Sequence, residues 1–195
     1  MNTKEKIKNL IEESIYTKQK MLSPENISVL ESISEKIVLC YKNGKKLVVF
    51  GNGGSASDAQ HFTTEIVARF EKNRKALPAL ALTTNTSMLT AIGNDFGYDD
   101  VFSRQVEGLV YEGDVVIGIS TSGNSANVLK GLQMAKTRGA VSIGFSGEAG
   151  GVLLKESEFC FCAPSSITAR VQECHILAIH ILCSLLEEKI VDGEI

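Results

Sequence analysis

The sequence predicts an α/β protein built as a three-layer, doubly wound parallel sheet of about five strands. Three observations predict it. Short, almost wholly apolar runs alternate with helical segments along most of the chain. Several of those runs end in loops rich in Gly, Ser, Thr and Asn. The length, 195 residues with 44% hydrophobic, suits one domain with a full core and is too short for two ordinary ones. Alternating β and α units imply a parallel sheet with right-handed crossovers, and strands covered on both faces read as continuous apolar runs.

Two helices lead. The first is expected over 3–21. The second opens at Ser23 with Pro24 in its first turn, a favoured start, carries Ile27, Leu30, Ile33 and Ile37 at helical spacing, and stops near Asn43-Gly44. The candidate strands follow at 46–50, 79–82, 115–119, 141–145 and 159–163. Helices are expected between them, at 56–70, 87–92, 101–110, 126–138 and 152–155, with a long last helix over 168–188. The whole, 1–195, reads as a single domain, with leading helices over 1–45 and an α/β core over 46–190.

The totals exclude several classes. A net charge of −3 with interspersed signs offers no basic stripe for nucleic acid. No run reaches the roughly 18 to 20 apolar residues that span a bilayer, and the N-terminus has no apolar signal region, so a cytoplasmic location is expected. Cys40, Cys160, Cys162, Cys174 and Cys183 are odd in number and irregularly spaced, as suits reduced thiols packed as small hydrophobes. A strand would place Cys160 and Cys162 on one face, but no second pair completes a zinc site.

In such sheets ligands sit beyond the carboxyl ends of the strands, which directs attention to the loops there. The loop after the third strand reads Ser120-Thr121-Ser122-Gly123-Asn124-Ser125 and enters a helix. Free backbone N–H groups and the positive end of the helix dipole favour an anion there. Four hydroxyls within six residues exceed what capping needs, and Gly123 permits a tight turn, so the loop reads as a phosphate cradle. After the first strand comes Gly51-Asn52-Gly53-Gly54-Ser55-Ala56-Ser57-Asp58. It matches G-x-G-x-x-A, but the next strand ends in Thr83-Thr84-Asn85 rather than a ribose-binding acid, and no Lys-Ser/Thr pair makes it a P-loop. A glycine turn admitting a small ligand close to the backbone is the better reading, with Ser55 and Asp58 as a capping pair for the helix behind.

On that helix His61 and Glu65 are four residues apart and share a face. A His and a carboxylate so placed can bind a divalent metal, or pair a general base with its partner, or form a plain surface contact. Gln172, His175 and His180 fall on the last helix. Gln172 and His180 differ by about 80° in azimuth and roughly 12 Å along the axis, while His175 points about 140° from His180 and packs or caps locally.

Taken together, these motifs resemble the phosphoheptose isomerases of the sugar isomerase (SIS) domain group, whose fold is flavodoxin-like. The resemblance rests on Gly51-Asn52-Gly53-Gly54-Ser55-Ala56, the run Asp58-Ala59-Gln60-His61-Phe62 with Glu65, Ala91-Ile92-Gly93-Asn94-Asp95-Phe96-Gly97, Phe102-Ser103-Arg104-Gln105, Gly118 to Ser125, and Arg170-Val171-Gln172-Glu173-Cys174-His175-Ile176 with His180. These motifs run in order over about 45–190. The resemblance implies interconversion of sedoheptulose 7-phosphate and D-glycero-D-manno-heptose 7-phosphate for bacterial cell-surface heptose synthesis. It also implies a homotetramer with active sites near subunit interfaces and one zinc ion per subunit. By the same resemblance, His61, Glu65, Gln172 and His180 are metal ligands, and Glu65 and His180 are catalytic. Sugar or phosphate contacts are implied at Asn52, Gly53, Gly54, Ser55, Glu65, Asn94, Asp95, Ser120, Thr121, Ser122, Ser125 and Gln172.

Two departures stand out. Many relatives carry Asp where this chain has Asn85, and Asp where it has Ile167. A second reading is a non-enzymatic SIS protein that binds the replication initiator DnaA. That type lacks the acid and the final histidine corresponding to Glu65 and His180 and tends to Thr at Gly54; this chain keeps all three. A third, the sugar-phosphate sensor of a transcription regulator, would need a DNA-binding domain for which the chain has no room.

Overall fold

The computed structural model describes residues 2–193. Its order is α1 (Thr3–Lys20), α2 (Pro24–Lys42), β1 (Leu47–Gly51), α3 (Gly54–Val67), β2 (Ala79–Ala81), α4 (Thr86–Asp95), a 3-10 turn (Tyr98–Asp100), α5 (Ser103–Leu109), β3 (Val115–Ile119), α6 (Ala126–Thr137), β4 (Val141–Ser146), α7 (Leu153–Glu156), β5 (Phe159–Cys162) and α8 (Thr168–Val191). The five strands are all parallel, in the order β2-β1-β3-β4-β5. This is the predicted doubly wound sheet, and its strand order reverses between β1 and β3.

Alternation along the strands sorts side chains onto two faces. Leu47 and Val49, with Val115, Ile117, Ile143, Phe145 and Phe161, pack against α2, α3 and α8. Val48, Phe50 and Val116 pack on the other face with Val106, Val128, Leu132 and Leu153, from α5, α6 and α7. β1 and β3 are buried at every position, which is why they read as continuous apolar runs. The short edge strand β2 is buried only at Ala81.

Local signals account for some helix ends. Ser23 accepts a hydrogen bond from Asn26 N–H with Pro24 in the first turn, and Gly44 follows Asn43 at φ +66°. α4 starts one residue earlier than predicted, where Asn85 caps it with its Oδ1 accepting from Met88 N–H at 3.0 Å, and it runs on to Asp95. α1 is tied to the core by Arg170, which donates to the Leu10 carbonyl at 2.8 Å and pairs with Glu13 and Glu173.

The cysteines are all free thiols. Cys40, Cys174 and Cys183 are buried. Cys160 and Cys162 lie half-buried on the edge strand β5, with their sulfurs 3.8 Å apart on one face. That contact holds the Cys162 thiol below its ordinary value, against the opposing pull of burial. Among the described residues, no helix is long and apolar enough to cross a membrane.

Candidate active site

The first half of the site lies in the crevice between β1 and β3, where a doubly wound sheet receives its ligands. β1 delivers Asn52 and β3 delivers Ser120 to this crevice. Asn52 Nδ2 donates to Asn127 Oδ1 at 2.9 Å, and Asn127 Nδ2 donates back to Asn52 Oδ1 at 3.0 Å. Asn127 stands in the first turn of α6, so this reciprocal amide pair ties the β1 loop to the helix behind the β3 loop. Tyr98 O–H reaches the same Asn52 oxygen at 3.3 Å. Sequence reasoning missed Asn127 and Tyr98, and no local pattern marks either.

The loop after β3 brings three of its hydroxyls together. Ser120 Oγ lies 2.9 Å from Ser125 Oγ and 3.4 Å from Ser122 Oγ, while Ser125 N–H donates to Ser120 Oγ at 3.4 Å. Ser125 occupies the N-cap position of α6 without using its side chain as a cap, which leaves the hydroxyl to its neighbours. Gly123 sits at φ +68°, where a Cβ would come within 2.1 Å of the Gly150 carbonyl oxygen, so the turn admits only glycine. Thr121 is engaged through its backbone, its carbonyl accepting from Gly147 N–H.

At the glycine turn the structure corrects one expectation. Ser55 and Asp58 do not form a capping pair. Gly53, at φ +56°, occupies the N-cap position, and α3 begins at Gly54 with no side-chain cap. The glycine backbone alone reverses the chain, so Ser55 falls inside the first turn and is buried. Asp58 Oδ2 is buried without a hydrogen-bond partner. Burial raises its carboxyl to about 6, against the opposing influence of His61.

The second half of the site lies where α3 packs on α8. His61 Nε2 is 3.0 Å from His180 Nε2 and 3.3 Å from Glu65 Oε1. Two bare ring lone pairs would repel at that distance, so one ring carries its hydrogen on Nε2 and donates it to the other. Phe70 lies against His180 with ring centroids 5.5 Å apart. His175 points the other way: it is fully buried, and its Nε2–H donates to the Ser146 carbonyl at 3.0 Å. Burial lowers its pKa to about 4, although that bond favours the charged form.

Gln172 is not brought into the His61–Glu65–His180 cluster. Its amide lies over Gly54, so close that a Cβ there would sit 2.1 Å from Nε2. The two-turn offset between Gln172 and His180 along α8 is matched by the offset between Gly54 and His61 along α3. Asn94 and Asp95 close α4 and bond to one another, Asn94 Nδ2 donating to Asp95 Oδ1 at 2.8 Å. Both are exposed, as is most of α4, which has no buried residue.

A metal ion is the family's implied cofactor, and the donor set can be tested against it. Zinc with bonds of about 2.0–2.2 Å in tetrahedral geometry has ligand atoms about 3.3–3.6 Å apart. The spacings about His61 Nε2 are 3.0 and 3.3 Å, so only the second reaches that range, and among the described residues no group of three or more His, Cys, Asp or Glu side chains is placed to hold a metal ion as they stand. Gln172 does not reach them in the single chain.

Beneath the cluster lies a buried ion pair that sequence reasoning also missed. Glu187 accepts from the backbone N–H groups of Phe70, Glu71 and Lys72 and from Arg74 Nε, at 2.8–3.0 Å. Burial pushes its carboxyl upward, but the three backbone donors and the guanidinium outweigh that and hold it below the usual value.

A doubly wound sheet with a hydroxyl-lined loop at its switch point belongs to the class of α/β proteins that take small ligands beyond the strand ends. A sequence model of the SIS domain matches residues 12–147. The phosphoheptose isomerase of Aneurinibacillus thermoaerophilus is 48% identical over 94% of this chain and 93% of its own length. Phosphoheptose isomerase 2 of Campylobacter jejuni is 48% identical over 94% and 92%. The solved phosphoheptose isomerase of Neisseria gonorrhoeae superposes with a TM-score of 0.91 at 40% identity, over 96% of this chain and all of that one. The chain therefore belongs to the phosphoheptose isomerase family of SIS-domain proteins.

Proposed function

We propose that this protein is an aldose–ketose isomerase that converts sedoheptulose 7-phosphate to D-glycero-D-manno-heptose 7-phosphate, for bacterial heptose synthesis. The observation that carries the reading is the convergence of Glu65, His61 and His180 from two helices, beside a crevice suited to a phosphorylated sugar. Isomerisation moves a proton between C1 and C2 through an enediolate, and so needs a base at carbon and an acid or electrophile at oxygen. Glu65 shuttles the carbon-bound proton. His180 protonates the oxygen, with His61 beside both to pass charge between them. The hydroxyls of Ser120, Ser122 and Ser125, with Thr121 and the start of α6, hold the phosphate. Asn52, Gly53, Gly54, Ser55 and Gln172 shape the sugar's path, with Asn94 and Asp95 at its rim.

Zinc, one ion per subunit, is part of the proposal; His61, Glu65 and His180 would hold it only after moving apart from their present spacing, with Gln172 as a further donor. When bound it would polarise the carbonyl and hydroxyl oxygens of the sugar. A homotetramer with sites near subunit interfaces is the proposed assembly. Ile7, Leu10, Ile11 and Ile15 are each about half exposed along one side of α1, which supports it. So does a groove of about 580 Å³ between α2 and α8, lined by Met21, Leu22, Ile27, Leu30, Leu177 and Ile181. That groove is mostly apolar and is lined by none of His61, Glu65 and His180, so it suits a neighbouring chain better than a sugar. Five free thiols fit a reducing compartment, and the proposed location is the cytoplasm.

The test is turnover of sedoheptulose 7-phosphate by wild type and Glu65→Gln, with and without a chelator. The variant should lose nearly all activity. A metal-loaded wild type that leaves the sugar unchanged yet binds DnaA would favour the non-enzymatic reading.

A further inference from the structure

Between α3 and β2 the chain turns over a pair of charges that water hardly reaches. The Arg74 and Glu187 side chains are 2% and 1% exposed, with Nε 3.0 Å from Oε1. Burying an ion pair is costly, and apolar residues of like size often stabilise as well or better. The pair therefore calls for a reason beyond stability, and its remaining bonds supply one. Arg74 Nη2 donates to the Glu65 carbonyl at 2.7 Å, and Nη1 donates to the Ile66 carbonyl at 2.9 Å. These belong to the last turn of α3, where carbonyls lack helical partners and a cation is favoured. The planar guanidinium reaches both while keeping Nε on Glu187; an ammonium has no such fork.

The carboxylate end faces the other acid–base residue. Glu187 lies seven residues beyond His180 on α8, two turns along and about 20° off the same face. It accepts from Phe70 N–H at 2.9 Å, and the Phe70 ring rests against His180. One ion pair thus fixes the backbone of Glu65 at one end and the ring that buttresses His180 at the other.

We propose that Arg74 and Glu187 are positioning residues for the isomerisation, setting the separation of Glu65 and His180 from beneath without touching the sugar. This rests on the assignment of those two residues as the acid–base pair. Misplacement by about 1 Å from a change remote from the chemistry costs about a hundredfold in rate.

The experiment compares wild type with Arg74→Lys, which keeps the charge but loses the fork. Phe70→Leu is the second variant; it keeps the backbone bond to Glu187 and loses only the ring. Both are measured for KM and kcat on sedoheptulose 7-phosphate. Their imidazole NMR signals are also recorded, readable because the chain has three histidines. Each folded variant should lose about ten- to a hundredfold in kcat with KM within about twofold. The His180 and His61 signals should move while that of His175 stays. If Arg74→Lys fails to fold, Phe70→Leu decides alone. Unchanged kcat with unmoved His180 signals in a folded variant overturns the proposal; so does a loss that follows the melted fraction. A wild type without turnover counts against the isomerase reading, and the imidazole signals still decide whether the clamp positions His180.

Discussion

The amide pair across the crevice supports a quantitative prediction. Asn52 and Asn127 exchange two hydrogen bonds, and Asn127 is 4% exposed. Asn52→Ala removes both bonds and strands the Asn127 amide away from water; a buried group left unsatisfied costs about 1–3 kcal/mol. Asn127→Ala should cost less, because half-buried Asn52 can turn to solvent and keeps Tyr98. The double variant strands nothing, so it should be little worse than Asn52→Ala alone. Two neutral bonds at about 0.5–1.5 kcal/mol each give a coupling energy of about 1–3 kcal/mol. Urea denaturation of all four proteins at one fixed concentration measures it, since association alters apparent stability. Additive losses, with coupling under about 0.3 kcal/mol, would refute the claim that this pair holds the two loops together.

Gly54→Ala should push the Gln172 amide aside at a stability cost of about 1 kcal/mol or less, because the crowded atoms are the far end of a flexible side chain. KM should rise as in Gln172→Ala, and combining the two should add little; additive effects would contradict the contact. His175 has a folded pKa of about 4, below its unfolded value of 6.5, so its contribution to stability is complete above pH 6.5 and is lost as pH falls toward 4. That amounts to about 3 kcal/mol, and melting curves of His175→Phe should be flatter across that window than those of wild type; equal slopes would remove histidine as the cause. Light scattering should give a four-chain mass, and Ile7→Glu with Ile11→Glu should reduce it; an unchanged mass would clear α1 of any part in assembly.

What the sequence revealed about this fold depended on how local each signal was. β1 and β3 are buried at every position, so hydrophobic runs marked them without reference to the rest of the chain. Ser23-Pro24 and Gly44 marked both ends of α2 for the same reason. The clustering of hydroxyls after β3 was legible because Ser120, Ser122 and Ser125 fall within six residues of one loop. The glycine turn was misread in part: Ser-x-x-Asp fits a capping box, but Gly53 turns the chain by backbone alone and the helix starts one residue before Ser55. The Asn52–Asn127 pair, the Arg74–Glu187 pair and the His61–His180 contact join residues 75, 113 and 119 positions apart. No window of sequence contains both partners, and only the packing of α3 on α8 or of α6 beside β1 brings them together. Gln172 was grouped with His180 by resemblance, although a regular helix separates them by two turns.

The two departures from the relatives' pattern have unequal structural consequences. Asn85 still serves its helix, because an amide oxygen caps α4 as a carboxylate would, and Asn and Asp rank together at that position. Ile167 does not. It holds the N-cap position of α8 at φ −86° and ψ 115°, is 48% exposed, and caps nothing. The helix carrying Arg170, Gln172, His180 and Glu187 therefore begins with no side-chain acceptor for its first N–H groups. Ile167→Asp would supply one and place a negative charge at the positive end of the dipole, a gain of about 1 kcal/mol. The change should appear as a raised melting temperature, with Ile167→Asn showing most of it and Ile167→Leu none. Equal melting of all three would mean that water or a neighbouring chain already satisfies that helix end.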